Sequence, residues 1–269
     1  MQGPGVVSNC LIAANHCGSA RSVGRGVYLD NGSTLVDSEV SGNDGHRSSP
    51  YGTLVGDGRI TEVTQWEFKS LNERGLFEMT GGACTNKSGA FIVGFGYGSG
   101  VLEQTGGELV AQGRNPAAIG FLGGSGTYRV ANARSAFASD VYVGGAMTNH
   151  FSVKLSSITG KVGGQVRDLT TLHNAAGLLE VGENGTFATE GDLVLSEDGT
   201  GMLSFVAGES GVGTVTVGGK LVIGAGSKLT VDLGAFRPTE RQNSCPLVRC
   251  AAVEGAFDAA NVTFVKGDA

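Results

Sequence analysis

Proline, tryptophan and charge are all scarce in this chain: its 269 residues include 5 prolines, one tryptophan and only 16% charged residues. Average soluble proteins carry about 25% charged residues. Scarce proline excludes collagen, which needs it in abundance together with glycine at every third position. The 19 Lys and Arg stand singly, without a basic run or a basic helix, so no nucleic-acid partner is expected. The net charge of −6 is modest. No stretch of about 18 apolar residues exists that would make a transmembrane helix. The opening Met1-Gln2-Gly3-Pro4-Gly5 lacks the basic start and apolar core of a signal peptide, so an export signal is expected upstream.

Cysteine is sparse and odd in number. Cys10, Cys17, Cys84, Cys245 and Cys250 leave at least one thiol without a partner in the chain. A structural zinc site wants two close pairs of ligands, and only Cys10, His16 and Cys17 come near that pattern, so these thiols are read as packed or free. Whether Cys10 and Cys17, or Cys245 and Cys250, are bridged stays open. No metal and no cofactor is expected.

What the chain has is glycine, 47 residues of it, and with it an internal repeat. Gly75-Leu76-Phe77-Glu78-Met79-Thr80-Gly81-Gly82 returns as Gly100-Val101-Leu102-Glu103-Gln104-Thr105-Gly106-Gly107, and then as Gly126-Thr127-Tyr128-Arg129-Val130. Val93-Gly94-Phe95 and Ser99-Gly100 match Ile119-Gly120-Phe121 and Ser125-Gly126 in the same way, so the period is 25 to 26 residues. Looser copies follow at Gly185-Thr186-Phe187, Gly201-Met202-Leu203 and Gly213-Thr214-Val215. Two residues after each glycine stands a large apolar residue, and the next is polar or small. An alternation of period two marks a strand with one buried face.

Such strands are short and cannot bury an apolar face alone. Stacking them buries equivalent residues on one another and satisfies backbone hydrogen bonds between repeats, which predicts an all-β solenoid. Roughly ten rungs at about 4.8 Å would make a rod on the order of 50 Å long. The first sixty residues repeat differently: Val7-Ser8-Asn9-Cys10-Leu11-Ile12 returns 28 residues later as Leu35-Val36-Asp37-Ser38-Glu39-Val40. Asparagines recur there, and Asn suits a tight turn because it tolerates the left-handed backbone. One repeat region is therefore expected over 1–236, with Asn-turn rungs over 1–60 and glycine-rich repeats over 61–236. Phe151 to Leu155 reads as an off-register rung, Arg237 to Asn243 as a loop, and residues 245–269 as terminal strands that cap the stack.

The N-terminal phrase, closing on Gly26-Val27-Tyr28-Leu29-Asp30-Asn31-Gly32, resembles the rungs of right-handed parallel β-helix proteins of bacterial surfaces. Residues 75 to 233 resemble the autotransporter-associated β-strand repeats of large bacterial passenger proteins, through phrases such as Glu103-Gln104-Thr105-Gly106-Gly107. The resemblance implies a right-handed parallel β-helix exported through a bacterial envelope, and it carries no catalytic residues to transfer. The expected role is a non-catalytic structural or adhesive segment of a secreted or cell-surface protein, with host or environmental glycans or surface proteins as partners.

The alternative with chemistry is a polysaccharide-active β-helix enzyme, which needs carboxylates clustered on one outer face beside a Lys or Arg. Asp30, Asp37, Asp44 and Asp57, with Arg25 and Arg47, are the candidates. Turn chemistry alone accounts for aspartates at such places. A third reading is a glycan-binding module, in which Tyr28, Tyr51, Trp66 and Tyr97 form a stacking strip. The run from Gly94 to Gly100 lacks the following helix of a phosphate loop, and the run from Gly213 to Lys220 has Leu221 where a P-loop needs Ser or Thr. Both are read as corners. The histidines His16, His46, His150 and His173 show no fixed spacing to a nucleophile.

Overall fold

The computed structural model describes residues 5–13, 16–17, 28–29, 34–41, 44–45, 54–55, 59–61, 65–68, 71–73, 76–86, 91–95, 99–145, 161–162, 165–166, 175–196, 200–237 and 245–266. Among these the structure is strand throughout, with one short 3-10 turn at Ala259–Asn261 and no α-helix. Scarce helical periodicity and abundant β-branched residues make this the expected outcome.

The first sheet has ten strands in sequence order: Val6–Ser8, Thr34–Val36, Arg59–Thr61, Leu76–Met79, Ser99–Gln104, Ser125–Val130, Gly177–Val181, Gly201–Val206, Lys228–Asp232 and Val262–Val265. Every neighbouring pair is parallel. The second sheet has two limbs joined by the long strand Thr214–Ile223. One limb holds Leu11–Ala13, Glu39–Ser41, Gln65–Phe68, Ala83–Asn86, Glu108–Ala111, Arg134–Phe137 and Thr186–Thr189. The other holds Leu71–Glu73, Phe91–Phe95, Ala117–Phe121, Val141–Val143 and Leu193–Leu195. Both limbs are parallel as well. The chain thus visits the first sheet, one limb and then the other, and returns to the first sheet one strand further along.

Register follows the repeat. Phe77 lies opposite Leu102, Leu102 opposite Tyr128, Tyr128 opposite Leu179 and Leu179 opposite Leu203. All five are buried, while the residues between them are half-exposed, as in Ser125–Val130 with its alternating pattern. Burying one such side chain contributes about 1.5–3 kcal/mol before entropy is counted. The 28-residue N-terminal repeat also holds, with Val7 opposite Leu35 and Ile12 opposite Val40.

One assignment differs. Phe187 and Val215, read from the sequence as further copies of the Phe77 strand, belong to the second sheet, where Phe187 lies opposite Ser135 and Val215 opposite Phe187. The true successor of Tyr128 is Leu179, in the strand Gly177–Val181, which carries the same Gly-x-apolar phrase. Two strand types share the same Gly-x-apolar phrase, because both begin just after a turn and both alternate.

Glycine has a definite place at the return to the first sheet. Gly100, Gly126, Gly177 and Gly201 lie opposite one another. A Cβ on Gly126 would overlap the Val93 carbonyl oxygen and the Gly120 nitrogen, and one on Gly177 would overlap the Ile119 oxygen and the Gly144 nitrogen. Facing them, Gly94, Gly120 and Gly144 all hold φ near +80°. Only glycine fits backbone packed this closely at positive φ.

Val248–Gly255 pairs with Thr214–Ile223 and Val262–Val265 with Lys228–Asp232, so both are stacked members of the sheets. Phe151 to Leu155 and residues 238–244 lie outside the described residues.

Candidate functional site

Of the six sequence candidates, Asp30, Asp57, Arg25 and Arg47 lie outside the described residues. Asp37 is exposed and holds φ at 47°, at the turn between Thr34–Val36 and Glu39–Ser41. Asn9 holds φ at 51° one repeat earlier, at the same turn. An Asp there is explained by the turn itself, since Asn and Asp tolerate the left-handed backbone better than other side-chain-bearing residues. Asp44 begins the two-residue strand Asp44–Gly45, opposite His16. The two described carboxylate positions therefore sit on different elements. Tyr51 and Tyr97 are also outside the described residues, and of Tyr28 and Trp66 the strand placement alone is described.

The polar groups that the fold brings together were not singled out from the sequence. At the corner between the first sheet and the second, Asn132 and Asn184 hold φ at 49° and 51°. The Asn184 Nδ2 donates to Asn132 Oδ1 at 3.2 Å. Beside them runs a shallow, open groove of about 400 Å³ lined by Gly107, Asn132, Ala133, Arg134, Asn184 and Thr186. Arg134 lies 3.5 Å from Glu108, with both side chains about half or more exposed, so its guanidinium stays available to solvent and ligand.

On the outer face of the first sheet, Arg129 stands between two glutamates. Its NH1 lies 2.6 Å from Glu103 Oε1 and its Nε 3.3 Å from Glu180 Oε1, each carboxylate belonging to the strand on one side. At the corner between the two limbs, Asp140 Oδ1 accepts from the Asp192 N–H at 2.8 Å, and Asp192 Oδ1 accepts from the Lys220 N–H at 2.7 Å. These carboxylates are consumed in holding successive turns together. Among the described residues no group of three or more His, Cys, Asp or Glu is placed to hold a metal ion.

Potential nucleophiles in the interior are protonated by their surroundings. Burial pushes the Cys84 thiol far up, and it pushes the Tyr128 phenol far up despite the Ser135 hydroxyl, which favours ionisation. Burial, with Asp140 and Asp192 adding their charge, pushes Tyr142 up to about 12. In the opposite direction, Ser210 donates its hydroxyl and its N–H to Glu183 and holds that carboxyl below the usual range. Cys10 and Cys245 are exposed, and Cys10, Cys84, Cys245 and Cys250 are free thiols. The groove offers the Asn132 and Asn184 amides, the Thr186 hydroxyl and the Arg134 guanidinium, groups that can hydrogen-bond a polar ligand.

Compared with protein families, with curated proteins and with solved structures, the chain matches none.

A signal for the asparagine corner existed in the sequence. Asn132 and Asn184 are separated by two repeat lengths, and they follow the strands ending at Val130 and Val181 by two and three residues. The looser spacing between them hid the correspondence.

Proposed function

We propose that this chain is a right-handed parallel β-helix and that it serves as a non-catalytic structural and adhesive segment of a secreted or cell-surface bacterial protein of the autotransporter-passenger kind. The observation that carries this reading is the pairing of each first-sheet strand with its equivalent one repeat on, in parallel, through ten strands. The right hand follows from the general rule that parallel crossover connections in one sheet turn that way in about 98% of cases. The outer rows support adhesion. The Asn132–Asn184 groove and the Glu103–Arg129–Glu180 row put amide and charged groups on rigid strand ends, where a glycan or a surface protein meets a preorganised surface. Beads coated with the full chain, flowed over immobilised glycans and host surface proteins, test the role. Retention above that of albumin-coated beads, reduced by Arg134→Ala or Asn184→Ala, is the expected result. Retention equal to albumin on every surface overturns the adhesive reading.

A further inference from the structure

At the corner between the two sheets, four successive turns each place one residue in the left-handed region: Gly82 at φ 74°, Gly107 at 73°, Asn132 at 49° and Asn184 at 51°. The last two carry amides and the first two carry no side chain. Asn184 Nδ2 donates to Asn132 Oδ1, so the short amide row leaves Asn132 Nδ2 and Asn184 Oδ1 without a partner among the described residues. Gly107 cannot extend the row, because a Cβ there would overlap the Gly82 carbonyl oxygen. The groove lies where the row breaks off, with Gly107, Asn132 and Asn184 all in its lining.

Arg134 borders the same groove, opposite Glu108 on one neighbouring strand and Thr186 on the other. Its Nε is the atom nearest Glu108, at 3.5 Å, longer than the ~2.7–2.9 Å of a tight charge-assisted bond. The two terminal nitrogens, the fork that matches a carboxylate, have no partner among the described residues. Thr186 Oγ1 donates to the Ala133 carbonyl at 3.5 Å, which leaves its oxygen free to accept.

We infer that this groove binds the carboxylate of an acidic glycan, with the Arg134 fork and Asn132 Nδ2 as its donors. The inference rests on the adhesive reading of the groove and names its ligand. A carboxylate answers the single cation of the lining and the unspent amide donor beside it. The acceptors Asn184 Oδ1 and Thr186 Oγ1 lie in the same groove and suit ring hydroxyls. A sugar acid carries hydroxyls next to its carboxylate, and an Asp or Glu side chain does not, which selects a glycan over an acidic protein surface. The volume of about 400 Å³ stands at the lower end of the ~300–1,000 Å³ usual for small-ligand sites, and the open form lets the rest of a glycan chain run on into solvent. Glu108 opposes the ligand, because its carboxylate competes for the same guanidinium.

Isothermal titration of the full chain with trigalacturonate, a hyaluronan tetrasaccharide and sialyllactose, each beside its methyl ester, tests the proposal. At least one acid is expected to bind, and its ester about tenfold or more weaker. Arg134→Gln is expected to weaken the acid to the level of the ester, and Asn132→Gly, which keeps the left-handed backbone, to weaken it severalfold. Glu108→Gln is expected to tighten it, a gain that a groove for neutral ligands would not show. Circular dichroism confirms that each variant is folded, and Arg134→Lys, which keeps the charge and loses the fork, replaces Arg134→Gln if that one is not. Binding of none of the three acids overturns the proposal. So does an ester that binds as well as its acid, an affinity unchanged by the Arg134 substitution, or a loss of affinity in Glu108→Gln. Beads that are still retained on neutral glycans or surface proteins after such a failure leave the adhesive reading standing, whereas beads retained nowhere remove both.

Discussion

The Tyr128 hydroxyl donates to Gln104 Oε1 at 2.8 Å inside a core that leaves both side chains fully buried. Ser135 Oγ lies 2.6 Å from the same hydroxyl and 2.8 Å from the same oxygen, while Gln104 Nε2 donates to the carbonyls of Arg134 at 3.0 Å and Gly107 at 3.3 Å. Two hydroxyl protons can serve only two of these three close contacts at once. Tyr128→Phe removes one hydroxyl and leaves Ser135 to serve Gln104, and it is expected to cost about 1 kcal/mol. Gln104→Leu removes the oxygen that the two hydroxyls share and the amide that serves two carbonyls, and it is expected to cost more, about 2–3 kcal/mol. Urea melts of the two variants check the order.

Leu102 lies between Phe77 and Tyr128, so its truncation leaves a cavity that neither neighbour can fill. Leu102→Ala is expected to cost about 2–5 kcal/mol. Glu103 points outward to Arg129, with 35% of its side chain exposed, and a surface pair of this kind contributes at most about 1 kcal/mol. Glu103→Ala is therefore expected to cost less than about 1 kcal/mol, and the loss should shrink in high salt. A larger loss for Glu103→Ala than for Leu102→Ala would misplace the whole alternation.

Alkaline pH should destabilise the fold. The folded Tyr142 phenol titrates near 12, above the ordinary value of 10.0, so the folded state holds its proton longer than the unfolded chain does. The stability this provides is complete below about pH 10 and is lost as pH rises through about 12. Urea melts at pH 9, 10 and 11 should show a shallower decline for Tyr142→Phe than for the wild type. Tyr128 is shifted in the same direction and should keep part of the decline in that variant.

Thiol labelling separates the cysteines. Cys10 and Cys245 are exposed and should react promptly with an aromatic disulfide at pH 8, whereas Cys84 is buried and held protonated and should react only on unfolding. Prompt loss of the Cys84 thiol in the folded protein, followed by mass spectrometry, would contradict the interior placement of Ala83–Asn86.

Asp37 discriminates a turn from a catalyst. With φ at 47°, Asp37→Gly should leave stability within about 0.5 kcal/mol, while Asp37→Val should cost about 1–2 kcal/mol through backbone strain. No release of product from anionic or neutral polysaccharides is expected, with or without calcium. Release by the wild type that is abolished in Asp37→Ala or Asp44→Ala would establish the enzyme reading instead.

The strand alternation and the repeat length were legible because each depends on neighbours in the sequence: Phe77, Leu102 and Tyr128 announce themselves by spacing alone. Which sheet a strand joins was not. Phe187 and Leu203 carry the same local phrase, and the difference lies in how many residues the preceding turn uses, a property of the stack rather than of the segment. The asparagine corner was hidden because Asn132 meets Asn184 on the next rung although 52 residues, two repeat lengths, separate them. Arg129 was visible as a polar residue between apolar ones, but its position between Glu103 and Glu180 needed the register of three strands.

The glycine corner also governs what the architecture can tolerate. Gly126 and Gly177 lie opposite each other although far more chain separates them than separates Gly100 from Gly126, and Gly144 donates its N–H to Ile119 while Gly177 donates to Thr200. The closure is made by main chain alone, so it is indifferent to what the intervening polypeptide contains. A designer wishing to graft a foreign epitope into this molecule would choose that seam, between Gly144 and Gly177, and would leave the flanking glycines untouched.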